Sequence, residues 1–461
     1  MDSIEALIKA GCSYQYLYEY FNPAEYFDEV YCLSPVGYGI TPVGEMIKRE
    51  NVFYIQAKQE EFYKIINKIQ PDIVRSYGGR GCCDLAVANR VKGIPVVVSV
   101  HDPNPELISH SLIYADYIIC VSETVKKAVR KKLIIDEFDL KVIPNRIDVN
   151  VLKKTLNVEY RKKMEKKYGE GKYILHVGRK CFAKNLETVI KSLKYLPKEY
   201  KAIFLGNGEA EKYEELARIE GVVERCYFEK AVSKKDLIEY YSWCDCMCTP
   251  SRYEGFGFVF IEAAACECVI ITSNIGAMNE YLCNGKNAYL VDRYEDEKVL
   301  AEKIEKACDD TEENREIKKQ ARKVGLRFSK DVVDRQDVLF YENIISEKKD
   351  NESICKLVED IKYKKIIIFG AGKRGGEIHR QCEKGKVAWL VDTNPEKTGE
   401  LIDGIKVISY EQLKEIHSNY LVVVSPEKRD EIEEMLLRDG INFCNMEVYL
   451  ILKGRIEEEN Q

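Results

Sequence analysis

The sequence predicts an α/β protein built from two parallel, doubly wound units followed by a third, smaller one. Three observations carry this. Short apolar, β-branched runs alternate with amphipathic stretches across residues 28–122 and again across 172–293, the βαβ rhythm of a parallel sheet. A charged stretch, SEKKDNES at 346–353, then breaks the pattern. After it, KKIIIFGAGKRGGEIHRQC (364–382) reads as strand, glycine turn and helix. At 461 residues the chain is too long for one hydrophobic core. The expected domains are 1–150, 151–347 and 348–461.

Taken in order, DEVYCLSP, NVFYIQ, DIVRSY, IPVVVSVHD and ADYIICVS are the expected strands of the first unit. KYILHVGR, YKAIFLGNG, RCYFEKA, CDCMCTPS, CVIITSN and NAYLVDR are those of the second. KVIPNRIDVNVLKK (141–154) joins the two sets, and a long polar helical stretch runs from about Glu297 to Glu347. Two such units leave a cleft, with sites at the carboxyl ends of the strands.

Composition narrows the function. With 45% hydrophobic and 32% charged residues the chain is of ordinary globular type. A net charge of −6 argues against nucleic-acid binding. No apolar run is long enough for a transmembrane helix. The start MDSIEALIKA lacks the basic and apolar regions of a signal peptide, so a cytoplasmic placement is expected. The 17 cysteines are scattered without Cys/His zinc spacing, and buried free thiols acting as small apolar residues are expected rather than a metal site or disulfide scaffold.

The most informative stretch is TPSRYEGFGFVFIEAAACECVIITSNIGAMNE, Thr249 to Glu280. It reads as strand, Pro-Ser turn, glycine loop, helix and strand. A glycine loop opening a helix offers free N–H groups and the positive end of the helix dipole to a phosphate. Glu254 and Glu262 flank it as hydroxyl acceptors. An anion cradle between hydroxyl acceptors suits a nucleotide-sugar donor.

This stretch resembles the signature of the retaining glycosyltransferases of family GT4, which have the GT-B fold: P-S-x-x-E-G-F-G followed by E-A-x-A-C-G-x-P-V-I. Spaced segments over roughly residues 11–345 agree with it. The resemblance implies two facing Rossmann-like domains, the first on the acceptor side and the second on the donor side, joined at the Pro-Asn turn of 141–154. It implies that Arg179 and Lys184 in VGRKCFAKN hold the donor diphosphate, where fixed cations stabilise the leaving charge without a metal. His101, with Asp102 next to it, is expected beside the donor sugar. Glu254 is expected to hold sugar hydroxyls and Glu262 the ribose hydroxyls. Gly255, Phe256, Gly257, Phe258 and Val259 are candidate sugar and phosphate contacts. Gly206, Asn207 and Gly208, with the Glu229–Val232 loop, are expected near the nucleobase.

The implied reaction moves a hexosyl group from a UDP- or GDP-sugar to a hydroxyl on a glycan or lipid-linked acceptor, with retention and with no cofactor or metal, in surface polysaccharide or other glycan synthesis. Paired glutamates would otherwise suggest a glycosidase-like double displacement; the glycine loop and cation pair argue against it. The alternatives are a catalytically impaired nucleotide-sugar-binding scaffold and a GT-B-fold nucleotide-sugar epimerase.

Two departures stand out. Glu267 and Cys268 replace the family's usual Gly and Pro, and Glu267 reaches a positive φ only at a cost. The family's first buried strand and glycine loop correspond to a short N-terminal stretch of weak strand character: either that strand is missing or Ser3–Ala10 substitutes for it, with Gly11-Cys12-Ser13 as the loop.

In the third unit, Gly370, Gly372, Gly375 and Asp392 form a dinucleotide-binding fingerprint. A structural or docking module is the stronger reading, and nucleotide or nucleotide-sugar binding the weaker. A separate reductase activity is a further option. The basic helix Val125–Lys132 reads first as a solvated face, with contact at the anionic inner-membrane surface as the alternative. The aromatic segment Tyr14–Tyr26 lies on the acceptor side, suited either to stacking on a sugar or lipid or to core packing.

Overall fold

The computed structural model describes residues 4–9, 13–133, 140–347, 352–426 and 429–459. Among these, the first unit contains strands β1 (Val30–Pro35), β2 (Met46–Arg49), β3 (Val52–Ala57), β4 (Val74–Tyr77), β5 (Val96–Val100), β6 (Tyr117–Cys120) and β7 (Leu140–Val142). The run VVVSV of β5 is buried along its whole length, as expected for a parallel strand covered on both faces.

The first unit's sheet comes in two pieces. β4-β5-β6-β7 is parallel, whereas β1-β3-β2 is separate, with β2 antiparallel to β3. The expectation that Ser3–Ala10 supplies a short strand is not met over its described part, because Ile4–Lys9 is a helix. The spacing explains it: Ile4, Leu7 and Ile8 fall at i, i+3 and i+4, a helical stripe that packs with Leu17, Tyr18, Val52 and Tyr54. Gly11 and Cys12 lie outside the described residues, and Ser13 caps the helix Tyr14–Phe21. Side chains span the break, with Leu33 of β1 and Val74 of β4 sharing a cluster with Phe62 and Ile66.

The second unit is a single parallel sheet of β8 (Lys172–Val177), β9 (Tyr200–Leu205), β10 (Cys226–Glu229), β11 (Cys246–Thr249), β12 (Ile270–Ser273) and β13 (Tyr289–Val291). Its order is β10-β9-β8-β11-β12-β13. The direction of winding reverses between β8 and β11, which opens a crevice beyond their carboxyl ends.

Space and sequence part company at the end of the second segment. The helix Lys330–Glu347 returns to the first unit, where Val333, Tyr341 and Ile344 pack with Val97, Ile119 and Ile143. Residues around Ile147 and Ser329 pair as a two-way strap between the units: Ile147 N donates to Phe328 O and Lys330 N to Ile147 O, both at 2.9 Å.

The third unit holds β14 (Ile366–Phe369), β15 (Val387–Val391), β16 (Leu401–Ile402), β17 (Ile405–Ile408), β18 (Leu421–Val424) and β19 (Phe443–Asn445). The order is β16-β17-β15-β14-β18-β19, parallel except for the hairpin strand β16. The described cysteines are all free, and most of them are buried.

Glu267 takes the strained course: its φ is +56° in the turn closing the helix Phe258–Ala265, where Cys268 N donates to Ala263 O at 3.0 Å. A side chain there costs on the order of 1 kcal/mol that glycine does not. Glu267→Gly is therefore expected to stabilise the chain by about 1 kcal/mol, measured as a higher denaturant midpoint at unchanged slope.

Candidate active site

One half of the candidate site is assembled from the two loops at the point where the second sheet reverses. After β8, Gly178 has φ +152°, and Lys184 lies across it, its stem 3.2 Å from where a Cβ would stand. The turn Phe182–Lys184 is fixed at its carboxyl end by two hydrogen bonds. His176 Nε2 meets Lys184 O at 2.9 Å, and Asn185, itself left-handed at φ +50°, donates from Nδ2 to Pro250 O at 3.1 Å. This aims the ammonium of Lys184 at the carboxylate of Glu254, with which it forms an ion pair. Ser251 Oγ donates to the same carboxylate oxygen at 3.0 Å. Arg179 stands exposed on the same loop.

The glycine loop is pressed against the first unit. A Cβ on Gly255 would stand 2.0 Å from His101 O, and Ser122 Oγ donates to Gly255 O at 2.6 Å. Gly257, at φ +84°, opens the helix Phe258–Ala265. Phe258 is exposed and Val259 half-buried beside it. Phe256 departs from its expected role as a donor contact: its ring is buried against Tyr281 and Phe328, at 5.5 and 5.3 Å between centroids, and its carbonyl accepts from Tyr281 Oη at 2.5 Å. The aromatic ring anchors the loop rather than lining it.

Glu262 sits one side chain deeper. Its carboxylate lies 3.3 Å from Lys234 Nζ and accepts from Tyr241 Oη at 3.3 Å. Lys234 also lies 5.9 Å above the ring of Tyr16, so the helix Tyr14–Phe21 of the first unit reaches over this end of the site. Of the other aromatics in Tyr14–Tyr26, Tyr14 packs on Tyr54, Tyr20 and Phe21 on Tyr77, and Tyr26 on Tyr341.

Gly206 and Asn207 meet the loop after β10. Lys180, which sequence reasoning passed over, ties them together. Its buried ammonium donates to Gly206 O and, at 2.6 Å, to Glu229 O, while Asn207 Oδ1 accepts from Ala231 N at 3.3 Å. Burial pushes the Lys180 ammonium below its ordinary pKa. Lys180 lies inside VGRKCFAKN without being one of its two expected cations, and Lys234 just after the Glu229–Val232 loop; nothing else in the sequence marks either.

The other half of the candidate site centres on His101, just past the end of β5. Burial, followed by the charge of Arg75, lowers its pKa to about 4, so the ring is neutral at pH 7. Its Nε2 is buried without a hydrogen-bond partner among the described residues. It faces a small pocket shared with Tyr20, Tyr77 and Asp337. Arg75 and Arg146 close that pocket, 3.1 and 3.4 Å from Asp337, and Arg146 also pairs with Asp334. A neutral, unpartnered imidazole suits hydrogen bonding to a sugar or acceptor hydroxyl better than proton abstraction.

In the third unit the fingerprint has the right local shape. Gly370 turns at φ +108°, and Gly375 packs where a Cβ would stand 2.0 Å from Gly370 O. Asp392, however, is engaged internally, accepting from Lys397 Nζ at 2.7 Å, Asn394 N at 3.0 Å and Ala371 N at 3.2 Å. In the basic helix Val125–Lys132, Val125 and Val129 are buried, and the third unit covers Lys132, whose Nζ lies 2.8 Å from Asp430 and 3.6 Å from Glu433. Lys127 and Lys131 are left exposed.

Comparison with known proteins follows the same division. A family model described as Glycosyltransferase Family 4 matches residues 2–151, and one described as Glycosyl transferases group 1 matches residues 158–324. The chain is a GT4-like glycosyltransferase of the GT-B fold. A third model, C2185-like, N-terminal, matches residues 362–445 of the transferase. Among curated relatives, an uncharacterized glycosyltransferase of Methanocaldococcus jannaschii is 24% identical over 273 residues, 56% of this chain and 70% of its own. The capsular polysaccharide biosynthesis glycosyltransferase CapM of Staphylococcus aureus is 29% identical over 252 residues, 50% of this chain and 63% of its own. Among solved structures, the transferase resembles Anabaena HepE in complex with UDP, with a TM-score of 0.56 and 19% identity over 63% of this chain and 86% of that one. It also resembles sucrose-phosphate synthase from Thermosynechococcus elongatus, with a TM-score of 0.60 and 17% identity over 73% and 94%. These last two likenesses concern the fold. Among the described residues of the transferase, no helix is long and apolar enough to cross a membrane.

Proposed function

We propose that the chain transfers a hexosyl group from a UDP- or GDP-sugar to a hydroxyl of a glycan or lipid-linked acceptor, with retention and without a metal, in the synthesis of a surface polysaccharide or related glycan. The observation that carries this reading is the meeting of Lys184 and Glu254 at the reversal of the second sheet, across Gly255 from His101. In this reading the donor diphosphate takes the ammonium of Lys184 and the guanidinium of Arg179, with the amides of Gly257, Phe258 and Val259 at the helix start. Glu254, released from Lys184, accepts from a sugar hydroxyl, and Glu262 from the ribose. Gly206 and Asn207 border the base. The bond from the anomeric carbon to the phosphate oxygen breaks as the acceptor oxygen bonds to that carbon on the same face. The acceptor proton passes to the departing phosphate, so no protein nucleophile is required. His101 hydrogen-bonds at the sugar. The third unit is read as a docking module, since Asp392 already spends its carboxylate on three internal donors.

Thermal stabilisation of the full chain against UDP-, GDP-, ADP-, CMP- and dTDP-sugars tests the proposal. A ligand held by the folded state raises the melting temperature by mass action. One UDP- or GDP-sugar is expected to shift it, and Glu262→Ala to abolish the shift. No shift with any donor, or an undiminished shift in the variant, would overturn the reading.

A further inference from the structure

The segment that follows His101 is held in part by the third unit. Residues 102–114 run from the floor of the cleft, where Asp102 Cα would stand 3.3 Å from a Cβ on Gly255, to the outer face of the first unit. Along that path the contacts change owner. Near the cleft they are local: Asn104 N donates to Asp102 Oδ1 at 2.8 Å, and Ser109 N to Gly79 O at 2.6 Å. Beyond it they pass to the third unit. Asn445, at the end of β19 and 1% exposed, directs its Nδ2 at Ser111 Oγ (2.6 Å), Asp84 Oδ1 (3.0 Å) and Ser109 Oγ (3.3 Å). Its own Oδ1 accepts from Val448 N at 3.1 Å, which fixes the amide's orientation. Arg429 reaches the other oxygen of Asp84 at 3.1 Å, and Ser109 Oγ donates to Asp84 Oδ1 at 2.6 Å. His110 stacks on Phe443 at 4.0 Å between ring centroids, Tyr114 Oη donates to Phe443 O at 3.3 Å, and Lys132 links Pro105 O at 3.1 Å to Asp430.

A module tethered by a linker would present a polar, wet and exchangeable face to its neighbour. At the centre of this face Asn445, Asp84, Ser109 and Ser111 instead form a buried network of hydrogen bonds, the kind that fixes one arrangement. We propose that the third unit positions the His101–Tyr114 segment, with Asn445 and Arg429 as positioning residues, so that the acceptor wall of the cleft holds its form only while this unit is seated. The inference rests on the transferase reading for its catalytic consequence, but not for its structural one.

The test uses the full chain carrying Asn445→Ala. Hydrogen exchange is followed by mass spectrometry in peptides covering 102–114 and, as an internal control, in those covering β8 to β13. Steady-state transfer is measured alongside with the donor found by thermal shift. Exchange over 102–114 is expected to speed up about tenfold with the control peptides unchanged. A displaced wall misaligns the acceptor, so kcat falls roughly tenfold while the donor KM stays within about twofold. Ser111→Ala removes only one of the three acceptors facing Asn445 and is expected to give a smaller change of the same sign; it decides the matter if Asn445→Ala does not fold. Unchanged exchange over 102–114, or faster exchange with an unaltered kcat, overturns the proposal. If the unaltered chain transfers nothing from any donor, the transferase reading fails instead, and the exchange data alone still decide whether the third unit holds the segment.

Discussion

Lys184→Ala lowers turnover by about a hundredfold to a thousandfold, the loss expected when a fixed donor to a developing negative charge is removed. The side chain is unusually well aimed for a lysine. Its main chain is pinned through His176, its neighbour Asn185 is tied to the loop after β11, and its stem rests against a residue with no side chain. Little entropy remains to be lost when its ammonium meets a diphosphate, so its contribution falls on the transition state, where that charge grows. The folded state loses less. Glu254 keeps the hydrogen bond from Ser251 Oγ and is partly open to solvent, with 11% of its side chain exposed. The measurement is release of the nucleoside diphosphate at saturating donor and acceptor, with the thermal midpoint recorded for the same preparation. Glu254→Gln keeps the shape without the charge and is expected to drop turnover as well. Full turnover in either variant would sink the assignment of this pair to the reaction.

Arg429→Ala has the largest expected effect on stability, about 3–5 kcal/mol. Its guanidinium lies between three carboxylates, 3.1 Å from Asp84, 2.9 Å from Glu433 and 2.9 Å from Glu447. The side chains of Asp84 and Glu433 are 5% and 1% exposed, so water does not replace the lost partner. Desolvation already pushes the Glu433 carboxyl above its ordinary pKa, with Arg429 and then Lys132 pulling it back. Without Arg429 that carboxyl gains a proton or draws the third unit off its seat. Chemical denaturation followed by fluorescence is expected to show an earlier loss of structure, and the double variant Asp84→Asn, Arg429→Met to recover part of it. A single alanine with no change in midpoint would show that the network contributes nothing net.

The parts of this molecule that were legible in its sequence are those whose partners lie close along the chain. Glu254, the glycine loop and Glu262 sit on one turn and one helix, so their spacing alone describes a cradle. The parallel strands were legible because burial on both faces leaves near-continuous apolar runs such as VVVSV. What escaped were contacts between residues far apart. Asn445 lies more than three hundred residues from Ser111, and nothing in either neighbourhood marks the pair. Lys132 read as part of a basic face because the acids that cover it arrive from another unit. Phe256, flanked by glycines, read as a ligand contact when its ring belongs to an aromatic cluster that ties the loop to the crossover at Phe328. Ile4–Lys9 failed as a strand because three apolar side chains share a helical stripe, a signal outweighed by the expectation that a strand belonged there.

The touch of Gly255 on the carbonyl of His101 has a consequence for the order of events. With the two walls in van der Waals contact at that point, a sugar cannot slide between them from the side. In the transferase reading, a donor entering there requires the units to part about the strap at Ile147 and Ser329 and to close again on it. Capture is then a gated event whose rate depends on how often the hinge opens, and so does escape of the spent nucleotide. In that reading, the return to the open form is a step that every catalytic cycle has to wait for.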